Sequence, residues 1–525
     1  MKRLFYSLLL LCVFYSCKET PTSISDILPE ILITEEGKVL PLDSTTIATL
    51  KDSLLIEFYQ KNDAKTHWVA FNCREDLLNL LNAVEDEGLN PKDFDLKPLN
   101  ALEKKLPKLS DKELIEYDFL LTQNLLKLIT QANVGTTSPQ QLYDDWDLKP
   151  NTAPIKEKLF RFLNPDNFDA AVAALSPQHH MYQKLKKALQ LLKGFPKDPG
   201  ITIIVDGKIE PNDSLSELIN IKKKLQYWGE MKKSDSLSNH YDEETLLAVK
   251  KFQFRHGLAP DGVIGRGTAA ALNKTKEERK QQIIANLERW RWFPHDFPSD
   301  YLLVNIPDYS LTVVKEKDTV RNHRVIVGTA QRKTPILQSK LSYLVYNPTW
   351  TVPPTILKND VIPATQKNRS YLTGKNITVY DSKGNVVSPD NWEASKARSY
   401  RYVQSPGKTN SLGLVKIMFP NRFSVYLHDT NSRGYFEREI RSLSSGCIRV
   451  QNPFELCEYL LNDAEQWPMD TILEAVNTGK TRNVDIKGNY QLYILYWTAW
   501  SQGDVLIFRD DIYNLDAALY KKLRN

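Results

Sequence analysis

The sequence predicts a multidomain α+β protein with three folded parts: an α-helical N-terminal region, a small three-helix unit, and a mainly-β C-terminal domain that carries an insertion. Three observations predict it. Apolar residues recur at i, i+3 and i+4 up to about residue 195, as in Asp76-Leu77-Leu78-Asn79-Leu80-Leu81 and Phe119-Leu120-Leu121-Thr122-Gln123-Asn124-Leu125-Leu126. Residues 213–275 place short amphipathic segments between glycine turns. From about residue 300, β-branched and aromatic runs replace the helical period. A length of 525 residues suits several domains. Hydrophobic and charged contents of 42% and 25% exclude a collagenous, low-complexity or wholly disordered chain. A net charge of +5 over this length is no signature of nucleic-acid binding.

The chain opens Met1-Lys2-Arg3, runs apolar from Leu4 to Ser16 and reaches Cys17. A basic start and a short apolar stretch read as a secretory signal over residues 1–17, too short to span a membrane. Its end, Val13-Phe14-Tyr15-Ser16-Cys17, resembles a bacterial lipoprotein cleavage box. That resemblance implies a lipid on Cys17 as membrane anchor and a periplasmic place in the cell envelope. Ordinary signal cleavage nearby is the alternative. Residues 18–45, rich in Thr, Ser, Pro, Asp and Glu, read as a tether with a reach of roughly 30 Å if flexible. Residues 46–212 read as an α-helical scaffold, interrupted at Asn90-Pro91 and carrying no site chemistry. Cys73 within it is expected to be a small buried hydrophobe.

Residues 213–275 are more distinctive. A helix from Ile221 to Trp228 precedes a second that starts at Asp242-Glu243-Glu244-Thr245. The second continues through Ala248-Val249-Lys250-Lys251-Phe252-Gln253 and ends at His256-Gly257. The turn Asp261-Gly262-Val263-Ile264-Gly265 leads into a third helix through Thr268-Ala269-Ala270-Ala271-Leu272-Asn273. This unit resembles the three-helix peptidoglycan-binding domain. Phe252 and Leu272 are expected to fill a very small core. Residues 276–299 read as a linker helix. Arg289-Trp290-Arg291-Trp292 interleaves basic and aromatic residues, but secretion removes nucleic acid as a partner. A helix end whose tryptophans pack between domains is expected instead.

Residues 300–480 read as the β domain, with runs such as Leu302-Leu303-Val304-Asn305-Ile306, Val325-Ile326-Val327-Gly328 and Tyr343-Leu344-Val345-Tyr346. A polar, mixed segment at about 357–400 interrupts them as an insertion, and long insertions of this kind are often lids. Residues 481–525 read as further strands and a helix packed on this domain.

The chemistry concentrates late in the chain. Phe423-Ser424-Val425-Tyr426-Leu427-His428-Asp429 reads as a strand with Tyr426 and His428 on one face. Cys447 follows in Ser444-Ser445-Gly446-Cys447-Ile448-Arg449-Val450-Gln451-Asn452. A thiolate is a strong nucleophile, and a neighbouring imidazole can take the thiol proton. The small residues before Cys447 leave backbone N–H groups free to hold an oxyanion. Arg449 offers a fixed cation to a substrate carboxylate. The five cysteines stand at 12, 17, 73, 447 and 457 with no CxxC pair, so neither a disulfide framework nor a zinc site is expected. Cys457 falls on an amphipathic helix and reads as a packed thiol; a partner for Cys447 is the alternative.

These residues resemble the L,D-transpeptidase catalytic domain of the YkuD type. His428, Ser444, Gly446, Cys447, Arg449 and Asn452 fall on its signature, and Ser445 stands where many members carry a second His, as in the family's large periplasmic branch. The order of scaffold, peptidoglycan-binding unit and β domain with capping insert fits the same branch. The resemblance implies a cysteine acyltransferase of peptidoglycan. Cys447 attacks the third residue of a donor tetrapeptide stem, D-Ala leaves, and the side-chain amine of an acceptor stem resolves the thioester into a 3–3 cross-link. His428 serves as base, oriented by a backbone carbonyl rather than by Asp429. The N–H groups of Gly446 and Cys447 hold the oxyanion, and Tyr426 lines the pocket. Ser444, Ser445, Arg449 and Asn452 are substrate-side candidates, with Arg449 and Asn452 binding substrate or holding the loop. No metal, ATP or other cofactor is required, and a monomer is expected. An L,D-carboxypeptidase on the same fold and a catalytically silent wall-binding lipoprotein are the alternatives.

Overall fold

The computed structural model describes residues 36–293 and 297–525. The expected signal segment, Cys17 and most of the expected tether lie outside the described residues. The described residues divide into two compact units, one of residues 36–79 with 95–122, the other of 80–94 with 123–525.

The first unit is helical. Its helices Ser44–Ala48 and Ser53–Lys61 are capped by Asp43 and Asp52, whose carboxylates accept from first-turn N–H groups that have no intrahelical partner. Folding starts earlier than the expected boundary at 45. Leu42 is buried and its N–H donates to the Ala64 carbonyl at 2.8 Å, while the Leu40 N–H donates to Thr66 Oγ1 at 3.0 Å. Buried Asp118 collects the Tyr59 hydroxyl at 2.6 Å and the His67 and Trp68 N–H groups at 2.9 and 2.7 Å. Cys73 is half-buried, not buried as expected, because it sits in the opening turn of the helix Phe71–Asn82 beside exposed Phe71 and Asn72.

In the second unit, three helices, Glu217–Tyr227, Glu243–Arg255 and Arg266–Asn273, form around wholly buried Phe252 and Leu272. Asp242 caps the middle helix through the Thr245 N–H at 2.9 Å. Gln253 holds the Asp261-Gly262 turn: its Nε2 donates to Asp261 Oδ1 and the Val263 carbonyl at 3.0 Å, and its Oε1 accepts from the Gly262 N–H at 2.8 Å. Gly262 has φ 84°, which few other residues tolerate. The glutamine and glycine of this pattern are thus turn residues.

The linker helix Lys276–Arg291 opens with a reciprocal capping box between Thr275 and Glu278. All four residues of Arg289–Trp292 are buried. Arg289 Nη1 pairs with Asp516 at 2.6 Å, Arg291 Nη1 with Glu288 at 2.9 Å, and Trp290 stacks on Trp497 with ring centroids 4.8 Å apart. The basic residues face carboxylates inside the protein.

The strands are, in order, β1 (Trp146–Asp147), β2 (Tyr301–Asn305), β3 (Ser310–Lys315), β4 (Asp318–Gly328), β5 (Ile336–Lys340), β6 (Tyr343–Tyr346) and β7 (Trp350–Thr351). Next come β8 (Ile377–Tyr380), β9 (Val386–Val387), β10 (Arg401–Gln404), β11 (Val415–Met418) and β12 (Leu427–His428). Last are β13 (Ser442–Ser444), β14 (Ile448–Val450), β15 (Arg482–Asp485), β16 (Gln491–Leu495), β17 (Ala499–Gln502) and β18 (Val505–Phe508). The main sheet runs β1-β5-β16-β2-β3-β4-β14-β12-β11-β6-β15, with β13 paired to β4. Its near-continuous apolar runs, such as Val325-Ile326-Val327, are wholly buried. The C-terminal segment is therefore part of the sheet: β16 lies between β5 and β2. The insertion has its own sheet, β7-β10-β8-β9, and its own core around Leu372, Val379, Trp392 and Tyr402. As folded it runs from Trp350 to Gln404, wider than the polar stretch 357–400, because β7 and β10, which flank that stretch in the chain, pair with each other in the insertion's sheet.

Candidate active site

Two adjacent strands, β12 and β14, bring most of the sequence-predicted residues together. β12 pairs in parallel with β14, setting Leu427 opposite Ile448 and His428 opposite Arg449. The Ile448 N–H donates to the Tyr426 carbonyl at 3.1 Å, which carries that register back to Tyr426 and Cys447. Residues in register share a face and alternate residues return to it. Tyr426, His428, Cys447 and Arg449 therefore lie on one face of the sheet. Leu427, Ile448 and Val450 point into the core on the other face, and each is wholly buried.

Cys447 follows Gly446, whose φ of 111° and 3.1 Å approach of a notional Cβ to the Lys333 carbonyl both demand glycine. The turn is held from two sides. Ser444 Oγ donates to the Cys447 carbonyl at 2.6 Å and accepts from the Gly446 N–H at 3.1 Å. Thr334 Oγ1 donates to the Gly446 carbonyl at 2.8 Å. The Tyr513 hydroxyl in turn accepts from the Thr334 N–H at 3.0 Å and donates to the Gly328 carbonyl at 2.8 Å. These bonds correct two expectations. Buried Ser444 spends its hydroxyl on the turn. The Gly446 N–H is already engaged, which leaves the Cys447 N–H as the free amide of the pair among the described residues.

Asn452 is exposed at φ 49°, a left-handed conformation that Asn tolerates, and it turns the chain from β14 into the helix Pro453–Leu461. Its side chain makes no hydrogen bond among the described residues, so its place in the pattern is conformational. Exposed Ser445 accepts from Arg332 Nη1 at 2.9 Å, and the same guanidinium pairs with Asp360 of the insertion at 2.7 Å. Arg332 thus ties the nucleophile turn to the inserted unit. Cys457 is wholly buried on its helix and unpaired by any disulfide.

Electrostatics set the protonation states. Burial, then the Arg449 cation, depress the His428 imidazole to about 3; the carbonyls of Asp429 and Leu412 pull the other way, and the Lys416 cation adds the smallest push downward. Asp429 does not act on the ring through its carboxylate, which accepts from the Leu414 N–H at 3.0 Å and from Arg433. Burial raises the Cys447 thiol, against hydrogen bonds from Tyr426 and the Lys416 and Arg449 cations. Both groups rest neutral near pH 7, as thiol and imidazole. His428 Nδ1 is buried with no well-formed hydrogen bond. Tyr426 lies edge-on to His428 with centroids 5.6 Å apart, and its hydroxyl reaches Cys447 and Trp350.

Lys416 and Arg332 carry no sequence signal of their own. Lys416 alternates with Val415 and Ile417 as any solvated strand lysine does. Among the described residues no group of His, Cys, Asp and Glu is arranged to hold a metal ion.

A cysteine beside a histidine on one sheet face, behind a tight Gly turn, is the arrangement of a cysteine acyl-transfer domain. Residues 299–484 match the family model described as the L,D-transpeptidase catalytic domain (YkuD). Residues 53–189 match the scaffold domain and 214–272 the "Putative peptidoglycan binding domain". A Haemophilus influenzae protein named "Putative L,D-transpeptidase" is 34% identical over 289 residues, covering 53% of this chain and 58% of its own length. The chain thus matches little more than half of that relative. Among solved structures, an L,D-transpeptidase from Stackebrandtia nassauensis is 13% identical with a TM-score of 0.21, over 56% of this chain and 96% of its own. One from Xylanimonas cellulosilytica is 14% identical with a TM-score of 0.18, over 56% and 99%.

Proposed function

We propose that the chain is a periplasmic, lipid-anchored L,D-transpeptidase that forms 3–3 cross-links in peptidoglycan. The observation that supports it best is the single face carrying Cys447, His428 and Arg449 within the stretch that matches the catalytic domain. In this reading the Cys447 sulfur attacks the carbonyl of the third donor residue while His428 takes the thiol proton. The Cys447 N–H faces the oxyanion. The C–N bond breaks, His428 returns the proton to the leaving D-Ala amine, and a thioester remains. The acceptor amine then attacks the thioester and gives its proton to His428, and the sulfur leaves as a thiol. One amide is broken and one made, so no external energy source enters. The insertion covers the donor and excludes water. The lipid on Cys17 holds the enzyme at the membrane, and the three-helix unit keeps it near glycan.

Incubation with disaccharide-tetrapeptide, read by mass spectrometry, tests this. Dimer with loss of D-Ala supports transpeptidation. Tripeptide alone makes the protein a carboxypeptidase. No product and no thioester on Cys447 leaves a wall-binding module.

The pH dependence is a second expectation. With His428 depressed to about 3 and Cys447 raised, the competent pair of neutral imidazole and thiol persists from mildly acidic to mildly alkaline pH. The rate constant for acylation of Cys447 by a carbapenem, followed by intact mass, should be nearly flat between about pH 5 and pH 8. A histidine at its ordinary value near 6.5 would instead lose about tenfold per unit below that pH. An acid limb with a midpoint between 6 and 7 overturns the assignment of protonation states.

A further inference from the structure

The row of the sheet that holds His428 contains a cation on each side. β11 pairs antiparallel with β12 and sets Lys416 opposite His428, as β14 sets Arg449 opposite it on the other flank. Lys416 is half-buried, with its Nζ 3.9 Å from the centroid of the Tyr426 ring. Tyr426 is the residue whose hydroxyl reaches Cys447, so the ammonium stands at the level of the nucleophile. Among the described residues it has neither an ion-pair partner nor a hydrogen-bond acceptor, and no carboxylate stands in the row.

Keeping a half-desolvated ammonium near a second cation costs free energy that the ring face offsets only in part. An arriving carboxylate would be received by three ready donors. Burial also holds Lys416 below the ordinary lysine range, with the Cys447 charge opposing. The donor substrate supplies an anion at the right place. Its leaving residue presents the amide nitrogen to His428, and its carboxylate lies two covalent bonds beyond, about 2.5 Å further on.

We propose that Lys416 is a specificity residue whose ammonium receives the free C-terminal carboxylate of the donor stem, on the residue that leaves when Cys447 is acylated. This rests on the acyl-transfer reading above. The cation then selects stems ending in a free acid, and it orients the scissile amide between Cys447 and His428. Arg449, on the opposite flank beside Tyr435, is left for the rest of the stem.

The test uses the full chain and two donors, disaccharide-tetrapeptide with a free C-terminal carboxylate and the same compound as its C-terminal amide. The parent should prefer the acid by roughly 30-fold in kcat/KM, the size expected for one charge-assisted hydrogen bond. Lys416→Met should bring that ratio to within about threefold of unity, and Lys416→Arg should restore most of it. Lys416→Met that lowers both donors equally, or leaves the ratio unchanged, overturns the proposal while leaving the transpeptidase reading intact. A parent inactive on both donors overturns the reading and this inference together.

Discussion

Cys447→Ala should abolish both thioester formation and cross-linking, with turnover on disaccharide-tetrapeptide falling by at least about 10⁴-fold. The size follows from what the sulfur does. In the proposed mechanism it is the atom that carries the acyl group. Among the described residues the remaining cysteines are Cys457, sealed in the core, and Cys73 in the other unit. Intact mass after carbapenem treatment should show one adduct on the parent and none on the variant. The fold should survive, because Cys447 is only partly buried and its turn is held by Ser444, Thr334 and Gly446. Normal turnover by Cys447→Ala would sink the mechanism.

The largest stability effect is expected at Asp516. Its carboxylate takes Arg289 Nη1 at 2.6 Å and the Thr498 hydroxyl at 2.7 Å, with both charges inside the protein. Asp516→Ala strands a buried guanidinium and should lower stability by about 3–5 kcal/mol. The double change Arg289→Met with Asp516→Leu should recover most of that loss, because removing both charges removes the desolvation cost as well. Chemical denaturation followed by tryptophan fluorescence reads this, since Trp290 stacks on Trp497 next to the pair. Activity should fall with stability in the single variant. The Asp516 N–H donates to Asp511 at 2.7 Å, Asp511 accepts from the Tyr496 hydroxyl at 2.6 Å, and that hydroxyl accepts from the Tyr513 N–H at 2.9 Å. Tyr513 reaches the nucleophile turn through Thr334.

Much of the site was legible in the chain because it is local. Period-two alternation puts Tyr426 and His428 on one face, and the Ser-Ser-Gly-Cys run announces a tight turn whatever surrounds it. The three-helix unit was legible for the same reason: Gln253, Asp261 and Gly262 lie within ten residues of chain. Arg289–Trp292 shows the limit of such reading. Composition alone suggests a basic surface, and only the distant carboxylate of Asp516 explains why the arginine can be buried.

The sequence by itself determined the order of parts, the helical and strand periods, the face that Tyr426 and His428 share, and the glycine and cysteine of the turn before β14, since each of these depends on residues a few positions apart. Tertiary structure decided the rest. It set Lys416 and Arg449 on either side of His428, turned Ser444 inward, gave Ser445 a link through Arg332 to the insertion, and placed Tyr513 behind the turn. It also decided charge. Burial, helped by the Arg449 cation, holds His428 neutral, and burial raises the Cys447 thiol against the same cation. The reason is that register between strands and the depth of a group below the surface depend on residues far apart in the chain, and no local pattern records them.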